Sequence, residues 1–314
     1  MSKTAFLFPG QGSQYVGMGS DLYEHSPLAR EVFERAEEVT RKPIKKLCFS
    51  GPMEDLTRTV NLQPAITAVN LSLVRILKEE HGIEAEYAAG HSLGEYSALF
   101  AAGVLGIDDT LRLVDARGEL MDEAARKQEG AMVAVLGLSA NRVADILKRF
   151  QNQGVVGIAN HNTPEQIVIS GEKALVDRAA GAVQEEGGKA VPLQVSGAWH
   201  SALMEQARVR FAGRVREIEF LEAGLPVLFN VTAEAQRDPE KIKDLMIRQI
   251  TEPVLWHPAI ERMVREGVDR FVEVGPKKVL SNMLKRILPK SAPYSAYQVE
   301  DVEGLRLLVA QLQS

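Results

Sequence analysis

The chain has 314 residues, 45% of them hydrophobic and 25% charged, which is enough apolar material for one large domain or two smaller ones. Its net charge of -5 is spread over mixed acidic and basic residues, so the sequence carries neither a nucleic-acid stripe nor a polybasic membrane patch. Cys48 is the single cysteine, which excludes an intrachain disulfide, and its apolar surroundings predict a small buried side chain. Met1-Ser2-Lys3-Thr4 leads into a short strand without the apolar core of a signal peptide. Charged residues interrupt every apolar run before it could span a bilayer. A cytoplasmic location is expected, with no nucleic-acid or membrane partner.

Residues 6–8 read as a short buried strand, stopped by Pro9-Gly10 and the glycine-rich turn Gln11-Gly12-Ser13-Gln14. Helical periodicity follows at 27–39 and again at 65–78, where Leu71, Val74, Ile76 and Leu77 supply an apolar side. Residues 87–89 form a strand entering Gly90-His91-Ser92-Leu93-Gly94, and 95–102 form a helix closed by Gly103. Strands and helices alternating through short glycine turns predict an α/β fold with a mostly parallel sheet. From 128 to 196 the rhythm changes. Strand 131–136 precedes helix 140–150, strands 155–159 and 166–170 follow, and helix 172–186 leads to strand 189–195. This β-α-β-β-α-β order predicts a small ferredoxin-like domain at 128–196, inserted into a large domain made of 1–127 and 197–314. Further strands are predicted at 227–231 and 271–274, with a closing helix at 303–312.

Gly90-His91-Ser92-Leu93-Gly94 fits the pattern G-x-S-x-G between a strand and a helix. So sharp a turn brings backbones close together and needs glycine on both sides of the serine. It exposes the hydroxyl above the sheet, where the next N–H and the helix N-terminus can meet an oxyanion. The alternative is a plain glycine-rich turn in which Ser92 caps the helix; the flanking strand and helix favour a nucleophile. Six histidines could supply the base. The His91 ring should point away from the hydroxyl beside it. His25 and His81 sit near helix ends, and His257 lies in a loop or helix entry. That leaves His161 in the small-domain hairpin and His200 in Ser196-Gly197-Ala198-Trp199-His200-Ser201. His200 falls where the chain returns to the large domain, and clefts form between domains, which favours it without excluding His161.

Four blocks carry a wider resemblance: Phe8-Pro9-Gly10-Gln11-Gly12-Ser13-Gln14, Gly90-His91-Ser92-Leu93-Gly94-Glu95-Tyr96, Ala198-Trp199-His200-Ser201 and Glu273-Val274-Gly275-Pro276. In this order, spanning nearly the whole chain, they resemble the malonyl-CoA:acyl carrier protein transacylases. The resemblance implies malonyl transfer from coenzyme A to the phosphopantetheine thiol of acyl carrier protein, for fatty acid or polyketide elongation. Malonyl-CoA and acyl carrier protein are then the partners, with no bound cofactor and no metal. It further implies Ser92 as the acylated nucleophile and His200 as the general base, oriented by the main-chain carbonyl of Gln249 rather than by an aspartate. The backbone N–H groups of Gln11 and Leu93 would form the oxyanion hole, and Arg117 would grip the malonyl carboxylate. Without the resemblance, Arg117 reads as a helix-face arginine paired with Asp115 or Glu119. Gln11 then reads as a turn residue, Gln249 as a solvated helix residue, and Asn160 and Asn162 as turn formers.

Two positions depart from the family pattern. Trp199 stands where phenylalanine is frequent, and its larger ring is expected to narrow the space at the acyl α-carbon and disfavour methylmalonyl-CoA. Lys277 follows Gly275-Pro276 where a small residue, often glycine, is usual. Two other readings compete. A serine hydrolase would hand the acyl group to water, and would want an Asp or Glu between serine and histidine in chain order. A non-enzymatic docking domain could share the fold, but the joint presence of Ser92, His200, Arg117, Gln11 and Gln249 opposes it. No cysteine–histidine cluster has metal-ligand spacing.

Overall fold

A computed structural model describes residues 2–312. Its strands, in chain order, are β1 (Lys3–Phe8), β2 (Tyr87–Gly90), β3 (Gly130–Leu136), β4 (Val156–Thr163) and β5 (Gln166–Glu172). There follow β6 (Lys189–Pro192), β7 (Val227–Leu228), β8 (Ala235–Gln236), β9 (Val268–Val274) and β10 (Ser295–Val299). Two sheets hold them, one of six strands in the order β10-β9-β1-β2-β7-β8 and one of four in the order β4-β5-β3-β6. In the large sheet every pairing is parallel except that of the short edge strand β8 with β7. The small sheet is antiparallel throughout. The mixed α/β class and the mostly parallel large sheet are as the alternation of elements predicts.

β1 lies at the centre of the large sheet and is apolar from Ala5 to Phe8, as a strand covered on both faces must be. Side chains alternate across it. Phe6 and Phe8 enter the main core with the Thr59–Arg75 helix, while Ala5 and Leu7 enter a second core around Trp256 and Phe271. The small sheet shows the same alternation. Val133, Val135, Ile167 and Ile169 pack against the Ala140–Leu147 and Lys173–Glu185 helices, whereas Met132, Ala134 and Val168 turn toward the large sheet. That second face roofs a cavity at the carboxyl ends of β1 and β2, where ligands settle in parallel sheets.

Several expected elements differ in extent, among them β1, β4 and β9, which run longer than 6–8, 155–159 and 271–274. The helix expected at 65–78 begins at Thr59 and takes Pro64 into its interior, since 14 of its residues are buried and their packing offsets the hydrogen bond that proline removes. Its stretch Thr59–Glu80 is apolar and long enough to cross a bilayer, but 83% of the most apolar part is buried inside the fold. The strand expected at 227–231 stops at Leu228, because Asn230 leaves the ladder to bond with Glu95 and Ser92. The strand expected at 189–195 is laddered only to Pro192.

The Glu273 block has a structural duty. Its buried carboxylate accepts from the N–H groups of Leu280 (2.8 Å) and Ser281 (2.7 Å), capping the Val279–Ile287 helix whose residues Val279, Leu280 and Met283 border the cavity. Nearby, Lys277 is exposed with φ 63°, in the left-handed region where glycine is at ease. Its backbone N–H donates to Glu300 at 2.7 Å, a bond that any residue keeps. Lys277→Gly is therefore expected to raise unfolding free energy by about 1 kcal/mol in urea titrations. A loss of stability would show that the lysine side chain contributes more than its backbone strain.

Candidate active site

Between the end of β2 at Gly90 and the helix Gly94–Ala101, the chain turns so tightly that Ser92 takes φ 51°. Space dictates the glycines. A Cβ on Gly90 would lie 1.9 Å from the Gly94 carbonyl carbon, and one on Gly94 would lie 2.0 Å from the Phe8 oxygen. Left-handed backbone costs a side-chain-bearing residue about 1 kcal/mol or more, so it persists only when its surroundings hold it. Here the Ser92 N–H donates to Asn230 Oδ1 at 2.6 Å and the Ser92 carbonyl accepts from Gln249 Nε2 at 2.8 Å. The hydroxyl then stands between His200 Nε2, at 2.8 Å, and Arg117 Nη2, which donates to it at 3.0 Å.

His200 is buried and also left-handed, with φ 57°. Its Nδ1 faces two carbonyl oxygens, Gln249 at 2.8 Å and Glu252 at 3.2 Å. Carbonyls only accept, so Nδ1 carries the proton and Nε2 is left bare to accept from Ser92. Burial first, and the Arg117 charge second, push the imidazole down to about 3. It is a neutral base throughout the physiological range. The turn supplying the two carbonyls is tied to the small sheet. Val254 N–H donates to the Ala159 carbonyl and His161 N–H to the Val254 carbonyl, both at 2.8 Å.

Arg117 projects from the Ile107–Lys127 helix into the same place and is 2% exposed. Its partners are Gln63 Oε1 (3.0 Å), Gln249 Oε1 (3.1 Å) and Ser92 Oγ, all neutral, and its Nε is buried without a partner. The carboxylates one might pair with it are occupied elsewhere, since Asp115 and Glu119 both bind Lys42 on the outer face of the helix. Burial lowers the arginine's pKa, yet a guanidinium stays charged in proteins. A buried cation with only neutral partners is a poor final state and a good receptor for an anion.

These groups border a cavity of about 330 Å³ that Gln11 and Leu93 also line, with Met132 and Val168 above and Trp199 at the side. All six residues expected from the sequence, Ser92, His200, Arg117, Gln249, Gln11 and Leu93, thus meet in one place. Among the described residues no other histidine bonds to Ser92. His91 Nε2 donates to Asn162 Oδ1 at 2.7 Å, and His161 faces His257 at 3.0 Å. Cys48 is buried with its thiol pushed up by desolvation, as befits an inert side chain. Three residues of the constellation escaped the sequence reading: Gln63, Asn230 and Glu95. The carboxyl of Glu95 is fully buried and desolvation lifts it to about 8 against the pull of Asn230, Gln249 and Arg117. Its place beside the serine motif was the one available signal; nothing in the sequence marks the other two.

A family profile described as acyl transferase domain matches residues 5–307. The malonyl CoA-acyl carrier protein transacylase of Bacillus subtilis (strain 168) is 41% identical over 315 residues, covering 100% of this chain and 98% of its own length. An acyl carrier protein S-malonyltransferase of Vibrio cholerae superimposes with a TM-score of 0.93 at 40% identity, over 98% of this chain and 100% of that one. A malonyl-transacylase solved in complex with its type II polyketide synthase acyl-carrier protein does so at 0.94 and 37% identity, over 99% of this chain and all of that one.

The depressed His200 pKa has a consequence for folding. An unfolded histidine protonates near 6.5, whereas His200 in the fold does so only near 3. The stability it permits is thus present above pH 6.5 and lost as pH falls toward 3. Thermal melts of the chain and of His200→Gln are expected to diverge on acidification, the histidine form losing more. Parallel curves down to pH 4 would mean that His200 titrates normally (~6.5).

Proposed function

The chain belongs to the acyl transferase domain family, and on that premise we propose that Ser92 carries a malonyl group as an ester between coenzyme A and acyl carrier protein. It is an acyltransferase, a malonyl-CoA:acyl carrier protein transacylase in activity, serving fatty acid or polyketide elongation. The observation that carries the assignment of residues is Arg117, a buried cation without an anionic partner, 3.0 Å from the nucleophilic oxygen. Malonyl-CoA offers a carboxylate to pair with it two bonds beyond the reacting carbonyl.

Ser92 Oγ attacks the thioester carbon while its proton passes to His200 Nε2, and the developing oxyanion is met by the backbone N–H groups of Gln11 and Leu93. The carbon–sulfur bond then breaks, and coenzyme A leaves with the proton that His200 had taken. The carrier's phosphopantetheine thiol gives its proton to the same nitrogen and attacks the ester, and Ser92 is restored with that proton. Gln249 and Glu252 hold the imidazole in the required tautomer through their carbonyls. We read the turn at Ser92 as a nucleophile elbow, given its strand–turn–helix setting, left-handed serine and close glycines. The small sheet, with two helices on one face and the strand order β4-β5-β3-β6, we read as a ferredoxin-like subdomain at 128–196, set in a large domain of 1–127 and 197–314.

Intact-protein mass after mixing with malonyl-CoA tests the intermediate. One malonyl group is expected on the chain and none on Ser92→Ala, with discharge on addition of phosphopantetheinylated acyl carrier protein. Accumulation of free malonate without discharge would make the chain a hydrolase and sink the proposal. Trp199 yields a second expectation, since its ring is 5% exposed and borders the acyl pocket. Methylmalonyl-CoA should load more slowly than malonyl-CoA, and Trp199→Phe should narrow the gap by about tenfold, the value of one methyl group in an apolar pocket. Equal loading of both substrates by the unaltered chain would refute the steric role.

A further inference from the structure

Glu95 lies in the first turn of the Gly94–Ala101 helix, is wholly buried, and touches neither the cavity nor the reacting pair. Its two oxygens accept from different donors, Oε1 from the Asn230 backbone N–H and Oε2 from the Gln249 side-chain amide, each at 2.5 Å. Both donors have a second task at the site. The Asn230 side chain holds the Ser92 N–H and donates to the Gly90 carbonyl at 2.7 Å. The Gln249 amide nitrogen gives its other hydrogen to the Ser92 carbonyl, and its oxygen accepts from Arg117.

We propose that Glu95 is a positioning residue for malonyl recognition, fixing the orientation of the Gln249 amide and through it the aim of the Arg117 guanidinium. The argument is one of donors and acceptors. A carboxylate only accepts, so the Gln249 NH2 must face Glu95 and its oxygen must face the arginine. Turned over, the amide would set nitrogen against guanidinium, donor against donor, and release the Ser92 carbonyl as well. Neither Glu95 oxygen faces an acceptor that could take a carboxyl proton, so the geometry is that of the ionised group. Where Glu95 is ionised, above its raised pKa of about 8, it and Arg117 are a buried anion and cation held apart by one amide, which leaves the arginine counterbalanced yet still free to take a substrate carboxylate.

This rests on the reading of Arg117 as the malonyl grip, so Arg117→Ala is measured beside the variants that test the relay. In Glu95→Gln a second NH2 faces that of Gln249, and the conflict is relieved only when Gln249 turns over and deserts Arg117. Loading of malonyl-CoA and acetyl-CoA is compared above pH 8, where the carboxylate form of Glu95 fills. For E95Q with a cooperative melt, the malonyl-to-acetyl ratio of kcat/KM should fall by about tenfold or more, the worth of one charged hydrogen bond. R117A should fall at least as far. Gln249→Met removes the same amide while keeping the main-chain carbonyl on His200, and should lower the ratio as E95Q does, which keeps the test open if E95Q does not fold. A merely structural glutamate would reduce the amount of folded enzyme and leave this ratio alone. A folded E95Q or Q249M with the unaltered ratio, while R117A loses it, overturns the relay alone. An unaltered ratio in all three overturns the Arg117 assignment, and the relay with it.

Discussion

A guanidinium kept out of water without an anion against it is the constraint around which this site is arranged. Arg117 cannot shed its proton to escape burial, as a lysine could, so its surroundings must supply compensation. They supply it only in part. Two glutamine oxygens and the Ser92 hydroxyl are dipoles, not charges, and Glu95, when ionised, acts across the Gln249 amide rather than by contact. In the role proposed for Arg117, the incomplete compensation is what gives an incoming carboxylate its advantage. An arginine fully neutralised by its own protein would gain little from a malonyl group, and a bare one would destabilise the fold.

The same few residues hold the nucleophile in shape. Ser92 and His200 both occupy left-handed backbone, a conformation that is maintained only under restraint from outside the turn. Asn230 holds Ser92 by its N–H and Gln249 holds it by its carbonyl. Gln249 also presents its own main-chain carbonyl to His200. One residue therefore touches the nucleophile, the base and the arginine at once. It comes from the segment that the small sheet clasps through Ala159, His161 and Val254, so the smaller sheet's docking bears directly on the chemistry of the larger.

The parts of this arrangement that were legible in the sequence are those with local causes. The strand–turn–helix at Gly90–Gly94 declares itself because steric crowding admits no other residue at its glycines, and alternation of elements declares the parallel sheet. The β-α-β-β-α-β rhythm marked where the small sheet lies. What escaped has causes distant in the chain. Asn230 falls in a stretch, Val227–Val231, whose apolar residues predict a strand, and only contact with Glu95, 135 residues away, draws it from the ladder. The helix that periodicity places at 65–78 reaches back to Thr59, because burial of most of its residues lets it take Pro64 into its interior. Arg117 lies on the apolar stripe of the Ile107–Lys127 helix, with Leu113, Val114, Leu120, Met121 and Ala124, so its inward face has a local cause. Its lack of a carboxylate depends on distant Lys42, which binds both Asp115 and Glu119.

The use of carbonyls in place of a carboxylate behind His200 fits thioester exchange. An aspartate behind the imidazole stabilises the imidazolium and makes a stronger base, which matters most when the leaving group is a poor one. Here the group that leaves in the acylation step is a thiol, with a pKa of about 8.5 in the free state, so its departure asks little of the acid. In the second step the Ser92 oxygen leaves with the proton that His200 has just taken from the carrier's thiol. The harder demand is that His200 be neutral whenever substrate arrives, and burial beside Arg117 ensures it. In the proposed mechanism, pairing Arg117 with a malonyl carboxylate cancels the charge that, after burial, most depresses His200, and the imidazole gains basicity at the moment its proton acceptance is needed. An acetyl group brings no such charge. On that proposal, discrimination between the two acyl groups is expressed in the chemical step as well as in binding, because the interaction that recognises the substrate also adjusts the base that acts on it.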